Sequence, residues 1–138
     1  MSVKVSITNT VPEGMEKVRQ KVDVRTKEII SKMTFEVRNT AVNKIMREPK
    51  TGRVYTRGGI SHQASAEGEA PASNTGFLVN NIYQKVDANG LTGTVESRAS
   101  YSAFLEYGTQ RMGARPFMFP SVEEVRVKFK KQFQGIVR

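Results

Sequence analysis

Met15, Val18, Val22, Ile29, Met33, Val37, Ala41 and Ile45 recur at helical spacing, which predicts an amphipathic helix starting at Thr10 or Pro12 and stopped by Pro49. Ile30, Phe35, Val42 and Met46 widen its apolar stripe in the second half. Unbroken from Glu13 to Arg47, this helix is roughly 50 Å long at about 1.5 Å per residue, more than one small domain covers. The β-branched run from Val22 to Thr26 is the expected bend, with part of the helix facing a sheet and part another subunit. Ahead of it, Val3, Val5 and Ile7 alternate with polar residues, the pattern of a half-buried strand. Downstream, Asn74 or Thr75 is the expected cap of a short helix through Leu78 and Ile82. Tyr83–Asp87 and Leu91–Ser97 then read as a hairpin with Asn89-Gly90 supplying positive φ at its turn. Val122, Val125, Phe129, Phe133 and Ile136 close the chain as an amphipathic helix.

Two stretches depart from these simple periods. From Tyr101 to Glu124 aromatics, glycines and prolines crowd together. Tyr101, Phe104, Leu105 and Tyr107 place apolar bulk on one side of a short helix, and Gly108 is its left-handed terminator. Pro116 and Pro120 predict that residues 114–120 are non-helical, and Ser121 with Glu124 forms the S-x-x-E signature of a capping box that restarts a helix. Phe117 is expected to be core and to set how that last helix docks. The second stretch, Glu48–Asn74, has no sustained period and only Val54, Tyr55 and Ile60 to bury. Thr51–Gly59 can form a small hairpin, and the whole stretch reads as an arm that orders against a neighbour.

A chain of 138 residues is the size of one domain, so residues 1–138 are read as a single α+β unit. Its expected architecture is a small antiparallel sheet, covered by the long N-terminal helix and the C-terminal helix, with 48–74 as an extended arm or loop. With no cysteine and one histidine, neither a disulfide framework nor a Cys/His zinc site is available, which is compatible with a cytoplasmic origin. No apolar run approaches the roughly 20 residues of a membrane span, and the N-terminus lacks the apolar block of a signal peptide; a soluble protein without membrane contact is expected.

The formal net charge of +9 calls for a negative partner: nucleic acid, an acidic membrane or an acidic protein surface. Lys17, Arg19, Lys21, Arg25 and Lys27 are interleaved with Glu13, Glu16, Asp23 and Glu28, which reads as a solvated helix face. Arg47, Lys50, Arg53 and Arg57 have fewer acids nearby, as do Arg126, Lys128, Lys130 and Lys131, and these two groups are the better candidates for an anionic surface.

Catalytic chemistry finds little to build on. Ser61 and His62 are sequence neighbours and point apart, and no orienting carboxylate can be assigned to them. Gly58-Gly59 lacks the Lys-Ser/Thr continuation of a phosphate loop. Glu67 and Glu69 alone are a poor calcium or magnesium site. The expectation is a non-enzyme without metal or cofactor. The aromatics Tyr101, Phe104, Tyr107, Phe117 and Phe119 can stack on bases, though beside prolines and a helix face such residues favour core or protein interface.

Two blocks carry a resemblance. The first is Glu106-Tyr107-Gly108-Thr109 followed by Ala114-Arg115-Pro116-Phe117. The second is Thr51-Gly52-Arg53-Val54-Tyr55, then Ser61 through Pro71, then Asn74-Thr75-Gly76-Phe77-Leu78. In order and spacing the chain resembles the tail-component family of long-tailed bacteriophages, also called tail completion or head-tail joining proteins; it departs from the pattern at Phe119, where a basic or small polar residue is expected. The resemblance implies a virion structural protein of the neck, assembled in the host cytoplasm. It implies a six-fold ring that joins the tail end to a head connector or stopper, beside tail terminator or tail tube proteins, with DNA passing through the lumen. The contact residues it nominates are Arg53, Val54, Tyr55, Arg57, Ile60, His62 and Gln63 in the arm, with Tyr107, Arg111, Arg115 and Phe117 at the proline joint. Gly108, Pro116, Pro120, Ser121 and Glu124 are assigned to the joint's structure. The rival from another class is a basic nucleic-acid-binding module.

Overall fold

The three- and four-residue apolar steps wind into one helix, α1, Glu13–Met46, in the structure, a computed structural model that describes Ser2 and residues 13–136. The expected strand through Val3, Val5 and Ile7 lies outside the described residues. The expected bend does not occur, for α1 runs unbroken over 34 residues. Thr26 stays in register, its Oγ1 donating to the Val22 carbonyl at 2.8 Å. β-branched residues lower helix propensity by only some tenths of a kcal/mol each, too little to break a continuous hydrogen-bond ladder. The surplus length is left uncovered: Met15 and Val18 are 62% and 60% exposed.

The covered half of α1 meets two partners. One is α4, Met118–Ile136, which runs antiparallel to it, as the pairs Lys44–Glu124 at 3.0 Å and Lys128–Glu36 at 3.2 Å show. Ile29 and Val37 of α1 close against Val125 and Phe129 of α4 in one buried cluster, with Met33, Phe133 and Ile136 at its edge. The other partner is a hairpin of β1, Ile82–Val86, and β2, Gly93–Ser97, paired from Ile82↔Ser97 to Val86↔Gly93. Gly93 sits where α1 crosses the hairpin, and a Cβ there would stand 1.7 Å from Thr34 Oγ1. Of the Asn89-Gly90 pair only Gly90 takes positive φ, at 70°. The connection is longer than a two-residue turn, with the Asp87 amide donating to the Thr92 carbonyl at 2.9 Å, and Asn89 acts through its side chain, which accepts from the Leu91 amide.

A second buried cluster forms around the far end of α1, from Ala41, Ile45, Ala70, Leu78, Ile82, Ala99 and Phe117. Leu78 comes from α2, Phe77–Asn80. Gly76 holds the N-cap position at φ 77° without a side-chain bond; of the two expected caps Thr75 acts from one residue further out, its Oγ1 accepting from the Phe77 amide at 3.4 Å, and Asn74 instead donates to the Tyr55 hydroxyl at 3.5 Å. The next helix, α3, spans Ser102–Tyr107 and ends at Gly108, whose φ of 76° is the positive value expected of a helix-ending glycine, while its ψ of 179° is extended and not that of a left-handed helical cap.

The proline joint differs from its sequence reading. Helix α4 already begins at Met118, so Pro120 lies in the first turn, where its missing amide hydrogen costs no intrahelical bond. The capping box through Ser121 and Glu124 is not formed. Ser121 is fully buried inside the helix, its Oγ donating to the Phe117 carbonyl at 2.5 Å, and Glu124 is spent on Lys44.

The arm splits into two parts. Val54–Arg57 and Ile60–Gln63 pair as a second, separate hairpin, β3 and β4, with Gly58 and Gly59 at its turn. The return segment belongs to the body, because Ser65, Ala70 and Pro71 are buried and Ala70 joins the core around Phe117. Among the described residues the architecture is therefore α+β: two long antiparallel helices, two short ones and two small antiparallel sheets.

Candidate functional site

What starts α4 is a residue on another helix. The Glu106 carboxylate of α3 accepts from the amides of Phe117 at 2.9 Å, Met118 at 3.0 Å and Phe119 at 2.8 Å. A carboxylate at this position satisfies the orphan donors of the first turn and complements the positive end of the helix dipole. Glu106 stands in the Glu106-Tyr107-Gly108-Thr109 motif, whose sequence alone does not reveal this role. The signal available was a glutamate ahead of a proline-led helix that lacks a cap of its own.

Arg115 turns the same joint into a brace for the arm. Its backbone amide donates to the Leu105 carbonyl at 2.6 Å, and its Nε donates to the Ser65 carbonyl at 3.2 Å. The neighbouring Ala114 carbonyl accepts from the Gly68 amide at 2.9 Å. Two nominated contact residues are thereby reassigned. Phe117, 1% exposed, belongs to the chain's own core, and the half-buried Arg115 guanidinium is spent on the Ser65 and Gly113 carbonyls.

The base of the arm is closed by Glu69. Its carboxylate accepts from the Thr51 hydroxyl and from the amides of Thr51 at 3.0 Å and Ala66 at 2.9 Å. The Gly52 amide and the Ala64 carbonyl pair at 3.0 Å above it. The hydrogen bond from Thr51, then those from the Ala66 and Thr51 amides, pull the Glu69 pKa from 4.5 down to about 2. A depressed carboxylate stabilises the closed base above its ordinary value, and that contribution fades as the pH falls from 4.5 towards about 2. The Glu69 carboxyl carbon should therefore titrate by NMR with a midpoint near 2, while a midpoint at the ordinary 4.5 would refute the closure. A second carboxylate cluster holds Lys44. Burial pulls its pKa down, and the ion pairs with Glu124 and Glu48 more than offset this, leaving it raised.

The remaining nominated residues are presented outward. Arg53, Val54, Tyr55, Arg57, Ile60 and Gln63 are exposed on the hairpin, with Val54 at 60% and Ile60 at 64%. His62 is half-buried, its ring 5.7 Å from that of Tyr55. Ser61 precedes it on the same strand, so the two side chains leave opposite faces. At the joint, Tyr107 is 83% exposed and Arg111 is exposed beside it. A hollow of about 360 Å³, lined among others by Tyr55, Ser65, Phe77, Tyr101, Leu105 and Arg115, connects the hairpin base to the α3 surface. Phe77 and Tyr101, which line it with their rings 6.0 Å apart, are exposed, as are Phe104 and Phe119. Among the described residues no group of three His, Cys, Asp or Glu side chains is placed to hold a metal ion. No described helix is long and apolar enough to cross a membrane.

Comparison with known proteins bears on this surface. A family model described as "Bacteriophage HK97-gp10, putative tail-component" matches residues 9–108. No curated protein and no solved structure matches the chain. The matched stretch takes in α1, the whole arm with its closing Glu69, the β1–β2 hairpin and α3 with Glu106, and it stops before Ala114–Pro120. With most of its length covered, the chain belongs to the HK97-gp10-like family of bacteriophage tail components.

Proposed function

We propose that this tail component is a ring-forming joint of the virion neck. Six copies close a ring at the end of the tail and attach it to the head connector or stopper, with tail terminator or tail tube proteins on the other side. The ring assembles in the host cytoplasm. Its work is adhesive and not catalytic, and it needs no cofactor.

The observation that carries this reading is the β3–β4 hairpin, which projects from a braced base with Val54 and Ile60 more exposed than covered. Such a hairpin gains from a neighbour's surface, since an isolated two-stranded hairpin is marginal in water. Ring closure further requires two different, complementary surfaces on each copy. The hairpin is one. The aromatic surface around Phe77, Tyr101, Phe104 and Tyr107 is the other, and Arg53 and Arg57 supply charge for a carboxylate or phosphate across the contact.

Excision tests it. Because the Gly52 amide already meets the Ala64 carbonyl, residues 54–63 can be replaced by a short glycine linker without opening the base. The shortened chain should fold as a monomer and form no rings by negative-stain imaging. In the intact protein, the hairpin amides should gain hydrogen-exchange protection on assembly. Rings formed without the hairpin, or equal protection in monomer and ring, would overturn the proposal.

A further inference from the structure

Acids and bases that alternate along the sequence of α1 are sorted by its rotation. Glu16 is held by Arg19 at 3.6 Å and Asp23 by Lys27 at 3.0 Å, which neutralises those positions locally. Lys17, Lys21, Arg25 and Lys32 fall on a different strip, because steps of four, four and seven residues return to one side of a helix. That strip is one wall of a groove of about 820 Å³; the other wall is Lys131, Gln132 and Gly135 near the end of α4. Glu28 is the one carboxylate among the described residues of the lining. None of the five cations forms an ion pair with a described residue.

We infer that this groove binds the sugar–phosphate backbone of duplex DNA without regard to sequence. Its cations are spaced by about 6, 6 and 10 Å along the helix, at about 1.5 Å per residue, over a strip roughly 22 Å long. A ligand that matches it carries a continuous line of negative charge over that length, and a nucleic-acid backbone is such a polyanion. A second copy of this chain is a poor occupant, with 13 acidic against 22 basic residues. The apolar side chains of Val24 and Ile29 in the lining make room for the stems of the lysines, which carry their charge outward to the ligand. Lying on the first half of α1, the groove is remote from the arm that follows the other end of that helix. DNA binding at this site goes beyond ring formation and does not depend on it.

The test is fluorescence anisotropy of a labelled mixed-sequence duplex of about 20 base pairs with the full chain across a salt series. With four to five phosphate contacts, log K should fall against log salt with a slope of about −4. Lys21→Glu with Arg25→Glu should weaken binding at least tenfold at low salt and reduce the slope by about 2. Lys85→Glu with Arg98→Glu, at the β1–β2 hairpin and outside the groove lining, changes net charge equally and should leave the slope unaltered. Circular dichroism and particle mass measured on both variants separate loss of fold or assembly from loss of binding. If the reversals disturb folding, Lys21→Gln with Arg25→Gln should act in the same direction. No binding at low salt, equal loss in both double variants, or competition by polyglutamate as effective as by the duplex would each overturn the inference.

Discussion

Replacing Phe117 by Ala should lower the free energy of unfolding by about 3–5 kcal/mol, the range for deleting a buried aromatic ring. Phe117 is 1% exposed and joins helix α1 through Ala41 and Ile45 to α2 through Leu78 and to β1 through Ile82. A cavity at that point is shared by three elements and has little freedom to collapse. The internal control stands two residues further on. Phe119 is 67% exposed, and Phe119→Ala should change stability by less than about 0.5 kcal/mol. Urea melts of both variants decide the matter, and equal effects would refute the placement of Phe117 in the core.

Glu106→Ala should cost about 2–3 kcal/mol, although the side chain is only half-buried. Three consecutive amides lose their acceptor at once, and one of them belongs to Phe117 itself. The damage should be local before it is global. Hydrogen exchange at Phe117, Met118 and Phe119 should accelerate more than at Val125 or Phe129 in the middle of α4. Glu106→Gln keeps one acceptor oxygen and loses the charge, so it should fall between the wild type and the alanine variant. A glutamine variant as damaged as the alanine one would mean that the negative charge at the helix start, rather than the hydrogen bonds, carries the effect.

Both predictions rest on features that the amino-acid order shows only in part. Periodicity reveals α1, α4 and the β1–β2 hairpin because each is held by its own repeating apolar face, a local property. The bend expected at Val22–Thr26 fails for an energetic reason: tenths of a kcal/mol of propensity do not interrupt a 34-residue ladder. The capping box at Ser121 and Glu124 fails for a topological one. The S-x-x-E signature is local, whereas the cap in use arrives from α3, eleven residues before the amide of Phe117 that it satisfies. Aromatic spacing likewise does not separate Phe117 from Phe119, since which of them faces the core depends on where α4 starts. In the arm, exposure of Val54, Ile60 and Arg57 is legible from composition, but the closure of its base is not. Glu69 reads as half of a weak acidic pair until its carboxylate is seen receiving Thr51 and Ala66. The charges of α1 are the sharpest case, because a sequence that alternates sign becomes a one-sided basic strip once Glu16 and Asp23 are paired off.

Ring closure is tested most directly by the mass of the purified chain in solution, followed by mass photometry across a concentration series. Closure predicts a discrete species at six times the 15.4 kDa of one chain, growing at the expense of the monomer without intermediate-sized or open-ended assemblies. A single-chain mass at every concentration, or a ladder of ever larger polymers, would contradict it.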